Sequence, residues 1–504
     1  MTALFNWLDD TSDWLSPIVV KEVRQMVRSR EFVVAFAVSL IAALAVAFYG
    51  AVSAMGGTGT SGQWTFLSLM VCLALLGVLV VPIGAFSALR NERMEQTLDL
   101  VTVTALSPRR VVIGKLMAQA VKLTTLFAAM SPFIAMSFLL GGIDFVTILL
   151  SLGVVFLWSV WASAVSLFLS TVFKSRAMSG ILFTIAGIAT FFLLAVSRVP
   201  FFVMRSGFGG GPAGRSGFWW ALAMLMSGCI AVTVNLVLLA ENRLAVATEN
   251  RVTALRLGFL GQFLVMAAWT LTYLHAAPPA QDSAVRAFGV IAGFHLALVA
   301  MFTVTEDLHV PRRVLQEMRD SSRWGWLLWF LRPGGGRGAA YVLAQMAMLI
   351  AVAYALHPSS STMRWLGAMC GYICFFAAVP AFAWRLARPR SDQSLRLRTA
   401  ILLLLMAALI LPDLLYYLIR QPILFDVAFG RRHFINPFRT LANWRVVDGF
   451  GWEMVPAAIG LIGVMACLGL VSQGARITGE QQAAMDGLPA EARPEESPRV
   501  DGVY

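Results

Sequence analysis

Phe32-Val33-Val34-Ala35-Phe36-Ala37-Val38-Ser39-Leu40-Ile41-Ala42-Ala43-Leu44-Ala45-Val46-Ala47-Phe48-Tyr49-Gly50-Ala51-Val52-Ser53-Ala54 contains no charged side chain. Wound as an α-helix it is roughly 34 Å long, enough to cross a hydrocarbon core of about 30 Å. Comparable runs follow at Trp64 to Leu89, Leu116 to Leu140, Phe145 to Val172, Met178 to Val196 and Phe218 to Ala240. The second half adds Leu257 to His275, Ala287 to Val304, Ala339 to Leu356, Trp365 to Trp384, Ala400 to Ile419 and Val455 to Ser472. The runs are continuous rather than alternating, which excludes an outer-membrane barrel. The expected fold class is an all-α polytopic integral membrane protein with about twelve transmembrane helices.

Composition agrees. Of 504 residues, 59% are hydrophobic and 13% charged, and the mean hydropathy is +0.75. A soluble surface of this size needs roughly a quarter of its residues charged. The net charge of +12 comes from 39 Lys and Arg against 27 Asp and Glu. It suits loops anchored at an anionic membrane face, and nucleic acid is not an expected partner. Cys72, Cys229, Cys370, Cys374 and Cys467 all fall in apolar stretches, where buried free thiols are expected rather than a disulfide framework. A basic stretch precedes the first run, with no small-residue cleavage site after a short core, so that run is expected to stay in the mature protein.

With the N-terminus inside, most Lys and Arg fall in inside loops, which predicts a multi-pass protein of the plasma (inner) membrane with both termini cytoplasmic. The Arg-over-Lys bias and short loops suggest a bacterial source. One outer segment runs against the charge rule. From Arg420 to Glu453 it carries Arg420, Arg431, Arg432, Arg439 and Arg445 with Phe434, Phe438 and Trp444. It reads as a folded loop whose arginines meet lipid phosphates, or as a cap over a pathway.

The layout divides the chain into an N-terminal segment, 1–30, a six-span unit, 31–250, a second set of about six spans, 251–478, and a polar tail, 479–504, expected to be disordered. In both halves a long basic inside loop follows the second span, Arg90 to Arg110 and Glu306 to Gly338. That parallel admits a diverged six-plus-six duplication.

Three segments carry more than hydrophobicity. Ser16 and Pro17 signal a helix start, and over the next three turns Val19, Val23, Met26 and Val27 share one side while Lys21, Arg24 and Arg28 share the other. This predicts an amphipathic helix at the interface. In the loop after the second span, Asn91 reads as an N-cap with Glu92 and Glu95 in the first turns, opening a short separate helix with Met94, Leu98 and Val101 on one stripe. Ser107 and Pro108 then restart helix toward the third span, past Lys115. Lys122 lies two turns beyond Lys115 on the same face, and could line a cavity or snorkel to headgroups.

The lead-in Pro17-Ile18-Val19-Val20-Lys21-Glu22-Val23-Arg24, then Glu92-Arg93-Met94-Glu95-Gln96-Thr97-Leu98-Asp99-Leu100, then Leu106-Ser107-Pro108-Arg109-Arg110-Val111-Val112-Ile113-Gly114-Lys115-Leu116, resemble in letters, order and spacing the permease subunits of type-2 ATP-binding-cassette exporters. The resemblance covers about the first 245 residues. It implies that the loop 90–110 is a coupling element docking on a separate cytoplasmic ATPase subunit through Glu92, Glu95, Thr97, Leu98 and Asp99. It also implies that ATP and Mg are bound by that partner. Gln96 stands where such permeases more often have glycine. Members commonly carry six spans per chain, so a second copy or a second permease could complete the pore.

The residues agree with that division of labour. No Gly-x-x-x-x-Gly-Lys-Ser/Thr loop occurs, so the chain is expected to bind no cofactor and to have no catalytic residues of its own. No metal site is expected: Cys370 and Cys374 share a helical face, but two thiols seldom close a site. Asn235, Gln262, His295 and Asp413 lie at or near membrane depth and read as interhelical hydrogen-bonding groups. Two other functions fit the composition. An ion-coupled secondary transporter would draw on Lys122 and Asp413. A polytopic enzyme acting on lipid-linked substrates would use Arg431, Arg432 and His433.

Overall fold

The structure, a computed structural model, describes residues 17–56, 61–94, 108–140, 145–172, 212–245, 250, 252–276, 281–320, 329–387, 394–420 and 431–486. Every regular element among them is helical. Ten helices of the described residues are long and apolar enough to cross a membrane. Of the twelve expected runs, Met178 to Val196 lies outside the described residues. Ala400 to Ile419 forms a helix, Ser394–Arg420, interrupted by Pro412, that is not among the ten. Large apolar side chains such as Ile41, Phe48, Leu403 and Met465 stand exposed on the helix surfaces. Lipid, rather than water, is the medium that accepts such a surface. The chain forms two compact units, 1–245 and 246–504.

The first unit opens with α1 (Pro17–Arg28), whose exposed face carries Lys21, Arg24 and Arg28 and whose inner face buries Val19. Ser29 ends α1 and caps α2 (Arg30–Met55), its hydroxyl accepting the Phe32 N–H at 3.3 Å. The second expected run forms α3 (Ser61–Leu75), one wide π-turn (Leu76–Val80) and α4 (Val81–Met94). Pro82 accounts for the π-turn. It has no N–H to offer, and its ring crowds the carbonyl a turn back, which a wider turn relieves. The freed geometry is then tied down from α6 (Phe145–Val172), where the Ser166 hydroxyl donates to the Pro82 carbonyl. Between them, α5 (Pro108–Leu139) begins at the proline the sequence marked. The core interleaves Ala43, Phe66, Leu69, Leu73, Met130, Ile134 and Ile148, and α7 (Pro212–Leu244) completes the unit.

The second unit runs α8 (Thr253–Ala276), α9 (Gln281–Thr303), α10 (Arg312–Asp320), α11 (Gly335–Ala355), α12 (Ser360–Ala387), α13 (Ser394–Arg420), α14 (Pro437–Ala442), α15 (Trp444–Gly449) and α16 (Met454–Asp486). A close crossing joins α12 to α16. A Cβ on Gly463 would lie 2.4 Å from the Phe375 backbone nitrogen, and one on Gly371 2.6 Å from the Gly460 Cα. Only glycine lets the two backbones meet so closely, the usual device for packing helices in lipid.

Two expectations need correction here. The tail does not lose order at Gly479, because α16 continues to Asp486. Good helix formers fill that stretch, and Gln481 pairs with both backbone groups of Val310, accepting at 3.2 Å and donating at 3.3 Å. Nor does Asn91 cap a new helix: α4 runs unbroken through it to Met94. Residues such as Leu89, buried against Ala85 and Val111, carry the helix past the apolar run, and tertiary packing overrides the cap signal.

Candidate functional site

Continuing α4 past the bilayer-length run brings Glu92 to α1 and α5. Cations meet it there. Lys115, in the second turn of α5, lies with its Nζ 2.9 Å from one Glu92 oxygen and 2.7 Å from Glu22 of α1, and Lys21 stands 3.6 Å from the other Glu92 oxygen. Lys115 is only 2% exposed, against 12% for Glu22 and 25% for Glu92. A buried ammonium is tolerable only when paired, and here it has two carboxylates on two other helices. Two lysines and two glutamates leave the cluster neutral.

Apolar packing reinforces the clamp. Met26 of α1 packs on a buried group formed by Phe32, Val81, Leu123 and Leu126. Thus α1 is bound to the ends of α4 and α5 by charge at one point and by hydrophobic contact a turn away. Lys122 reaches back along α5 to place its Nζ 5.7 Å from the Phe32 ring centroid and beside Gly84, where a Cβ would lie 3.3 Å from it. This is cation–π distance.

Of the residues expected to dock a partner, Glu92 alone is placed, and it faces Lys115. Glu95, Thr97, Leu98 and Asp99 lie outside the described residues. The structure does bring Lys21 and Glu92 together. Arg24 and Arg28 remain on the exposed face of α1.

The second unit holds a polar centre that sequence reasoning missed. Arg256, in the first turn of α8, is wholly buried. Its guanidinium donates to the carbonyls of Phe330 (2.7 Å), Arg332 (2.6 Å) and Gly334 (3.2 Å) and to Glu306 Oε2 (2.6 Å). Burial raises the Glu306 carboxyl above its ordinary range, while Arg256 beside it acts in the opposite direction. Gly334, at φ +124°, makes the turn into α11 and gives its N–H to Glu306 at 3.3 Å. Two further arginines serve the last turn of α9: Arg385 donates to the Val304 carbonyl at 2.9 Å, and Arg398 to Thr305 Oγ1 at 2.8 Å and the Phe302 carbonyl at 3.3 Å. Cations at a helix C-terminus suit its dipole. An arginine flanking an apolar run reads in sequence as a headgroup anchor, and no local spacing announces a partner fifty residues away.

At the other end of the second unit, residues 431–453 fold as a cap on α12. Trp444 and Trp365 exchange indole hydrogen bonds with the Ser361 and Leu441 carbonyls, each at 3.1 Å. Asn436 donates to the Leu409 carbonyl at 3.0 Å, and Arg364 pairs with Asp448 and, at 3.6 Å, with Glu453. Of the expected segment Arg420 to Glu453, residues 421–430 lie outside the described residues, and Phe438 and Phe450 stand exposed on the folded part. His295 lies buried in α9 beside the rings of Phe259 and Phe263, 6.0 and 6.3 Å from their centroids. The Asp413 side chain lies outside the described residues.

Compared with models of known protein families, with curated proteins and with solved structures, the chain matches none.

Proposed function

We propose that this chain is the transmembrane permease subunit of an ATP-driven exporter of the type-2 ATP-binding-cassette class, in a bacterial plasma membrane with both termini cytoplasmic. A separate cytoplasmic ATPase subunit binds ATP and Mg and docks on the loop 90–110 through Glu92, Glu95, Thr97, Leu98 and Asp99. Met178 to Val196 and Ala400 to Ile419 bring the spans to twelve, arranged six plus six, and a second copy or second permease can complete the pore.

The observation that carries the reading is the Lys115 clamp. The described helices on either side of the proposed docking residues end at Met94 of α4, two residues after Glu92, and begin at Pro108 of α5, seven residues before Lys115. Because Lys115 holds Glu92 and Glu22 together, a push on that loop reaches α1, α4 and α5 as one body. Such a body can couple partner closure to span movement, provided the partner binds its two positions unequally.

The test is extraction in mild detergent followed by purification. A co-purifying ATPase that is lost on L98A/D99A, with the permease still inserted and monodisperse, supports the assignment. A clean preparation without ATPase, or transport unchanged in L98A/D99A/E92Q, overturns it.

A further inference from the structure

Arginines from four helices of the second unit converge on two short segments, 302–306 and 329–335. Arg256 of α8 donates to the carbonyls of Phe330, Arg332 and Gly334. Arg337 of α11, only 8% exposed, donates to the Pro333 carbonyl at 3.0 Å, with its guanidinium 5.9 Å from the Trp329 ring centroid. Arg385 of α12 donates to the Val304 and Glu306 carbonyls, and a Cβ on Gly335 would lie 2.4 Å from its Nη2. Arg398 of α13 reaches Thr305 and Phe302.

The charges there do not balance. Against these guanidinium groups stand Glu306, bound by Arg256 at 2.6 Å, and its chain neighbour Asp307. With both carboxylates ionised, a positive surplus remains. Helix dipoles do not remove it. At this point α9 ends with a partial charge of about −0.5 and α11 begins with about +0.5, and the Gly335 N–H, donating to the Asp307 carbonyl at 3.0 Å, ties the two ends together. A surplus of one sign in a poorly hydrated site calls for a counterion. Donors remain as well. Arg385 Nη1 and Arg256 Nε are buried without a hydrogen-bond partner, and buried N–H groups are seldom left so.

We propose that this cluster is a binding site for a phosphate-bearing anion, a lipid headgroup or free phosphate, held by Arg385 and Arg398. The two are half-buried, so an anion can reach them from the headgroup layer. Arg256 and Arg337 lie deeper and act on it through their charge. A planar guanidinium pairs two of its N–H groups with two oxygens of one phosphate. A halide offers no such pair, and a zwitterionic lipid brings no net charge to offset the surplus. Phosphate oxygens therefore satisfy both demands of the site, its charge and its idle donor on Arg385.

The experiment is thermal unfolding of the purified, delipidated full-length chain in neutral detergent. Phosphatidylglycerol, inorganic phosphate, phosphatidylcholine and sodium chloride are titrated separately, the salts at matched ionic strength. A saturable rise in melting temperature is expected with phosphatidylglycerol or phosphate and not with phosphatidylcholine or chloride. Response to the lipid alone assigns a headgroup, and response to phosphate assigns the free ion; each supports the site. R385Q should weaken the response by about tenfold or more, as for a lost hydrogen bond to a charged group. R385K keeps the charge and a donor for the α9 carbonyls but lacks the planar fork, so it should fold normally and still bind several-fold more weakly. R24Q/R28Q, on the exposed face of α1, should bind as the native chain does. Absence of a saturable response to both anions by the monodisperse native chain overturns the site. So does an equal response to phosphatidylcholine or chloride, or an affinity unchanged in R385K.

Discussion

Lys115 Nζ lies 2.9 Å from Glu92 Oε2, which makes the end of the second span and the start of the third a single electrostatic unit. The same ammonium holds Glu22 at 2.7 Å, so one nearly inaccessible cation orders three helices.

Removing that cation leaves two carboxylates facing each other. K115M should therefore destabilise the first unit by about 3 kcal/mol, the lower end of the range for breaking a buried pair, because both glutamates keep some solvent. E92Q retains the Lys115–Glu22 pair and should cost about 1 kcal/mol or less. Thermal unfolding in detergent distinguishes the two, and equal losses would contradict the geometry.

Arg256 is expected to be the most sensitive charge in the second unit. R256M strands the Glu306 carboxylate and three carbonyls, at a cost of about 3–5 kcal/mol. R256K keeps the charge but lacks the planar fork that reaches several acceptors, and should fall between native and R256M. Melting temperatures of the three proteins check the order.

Acid should loosen the cap over α12. Hydrogen bonds from Ser361 and Arg364 hold the Asp448 carboxyl below its ordinary range. A depressed carboxyl stabilises the fold above its unfolded pKa of about 3.9, and that stability is lost as pH falls through the lower folded value. Tryptophan fluorescence, with Trp444 buried in the cap, should change below about pH 4. D448N should abolish that acid transition.

Helix crossings give a paired test. G463A sets a Cβ 2.4 Å from the Phe375 backbone, whereas a Cβ at Gly367 of α12 meets nothing within 4 Å. Overpacking should cost G463A about 1–3 kcal/mol, and G367A should be neutral or more stable by up to about 1 kcal/mol through helix propensity. Unfolding of the two variants measures the difference.

Much of this was legible along the chain, because its causes are local. Pro17 and Pro108 begin helices where a missing N–H costs nothing. The split of α1 into a face with Val19 and a face with Lys21, Arg24 and Arg28 follows from 3.6-residue periodicity alone. Asn91 shows the limit of that reading. Its cap signal was real in composition, yet packing at Leu89 and the pull of Lys115 on Glu92 carry the helix through it.

What the sequence by itself determined is the medium and the inventory: charge-free runs of spanning length require lipid, because every backbone N–H and C=O in them must be satisfied within a helix. What only the tertiary structure decided is which distant groups meet. Lys115 with Glu22, Arg256 with Glu306, and Cys374 with Met346 are each separated by tens of residues. No periodicity encodes those pairings, since they arise only when helices distant along the chain pack against one another.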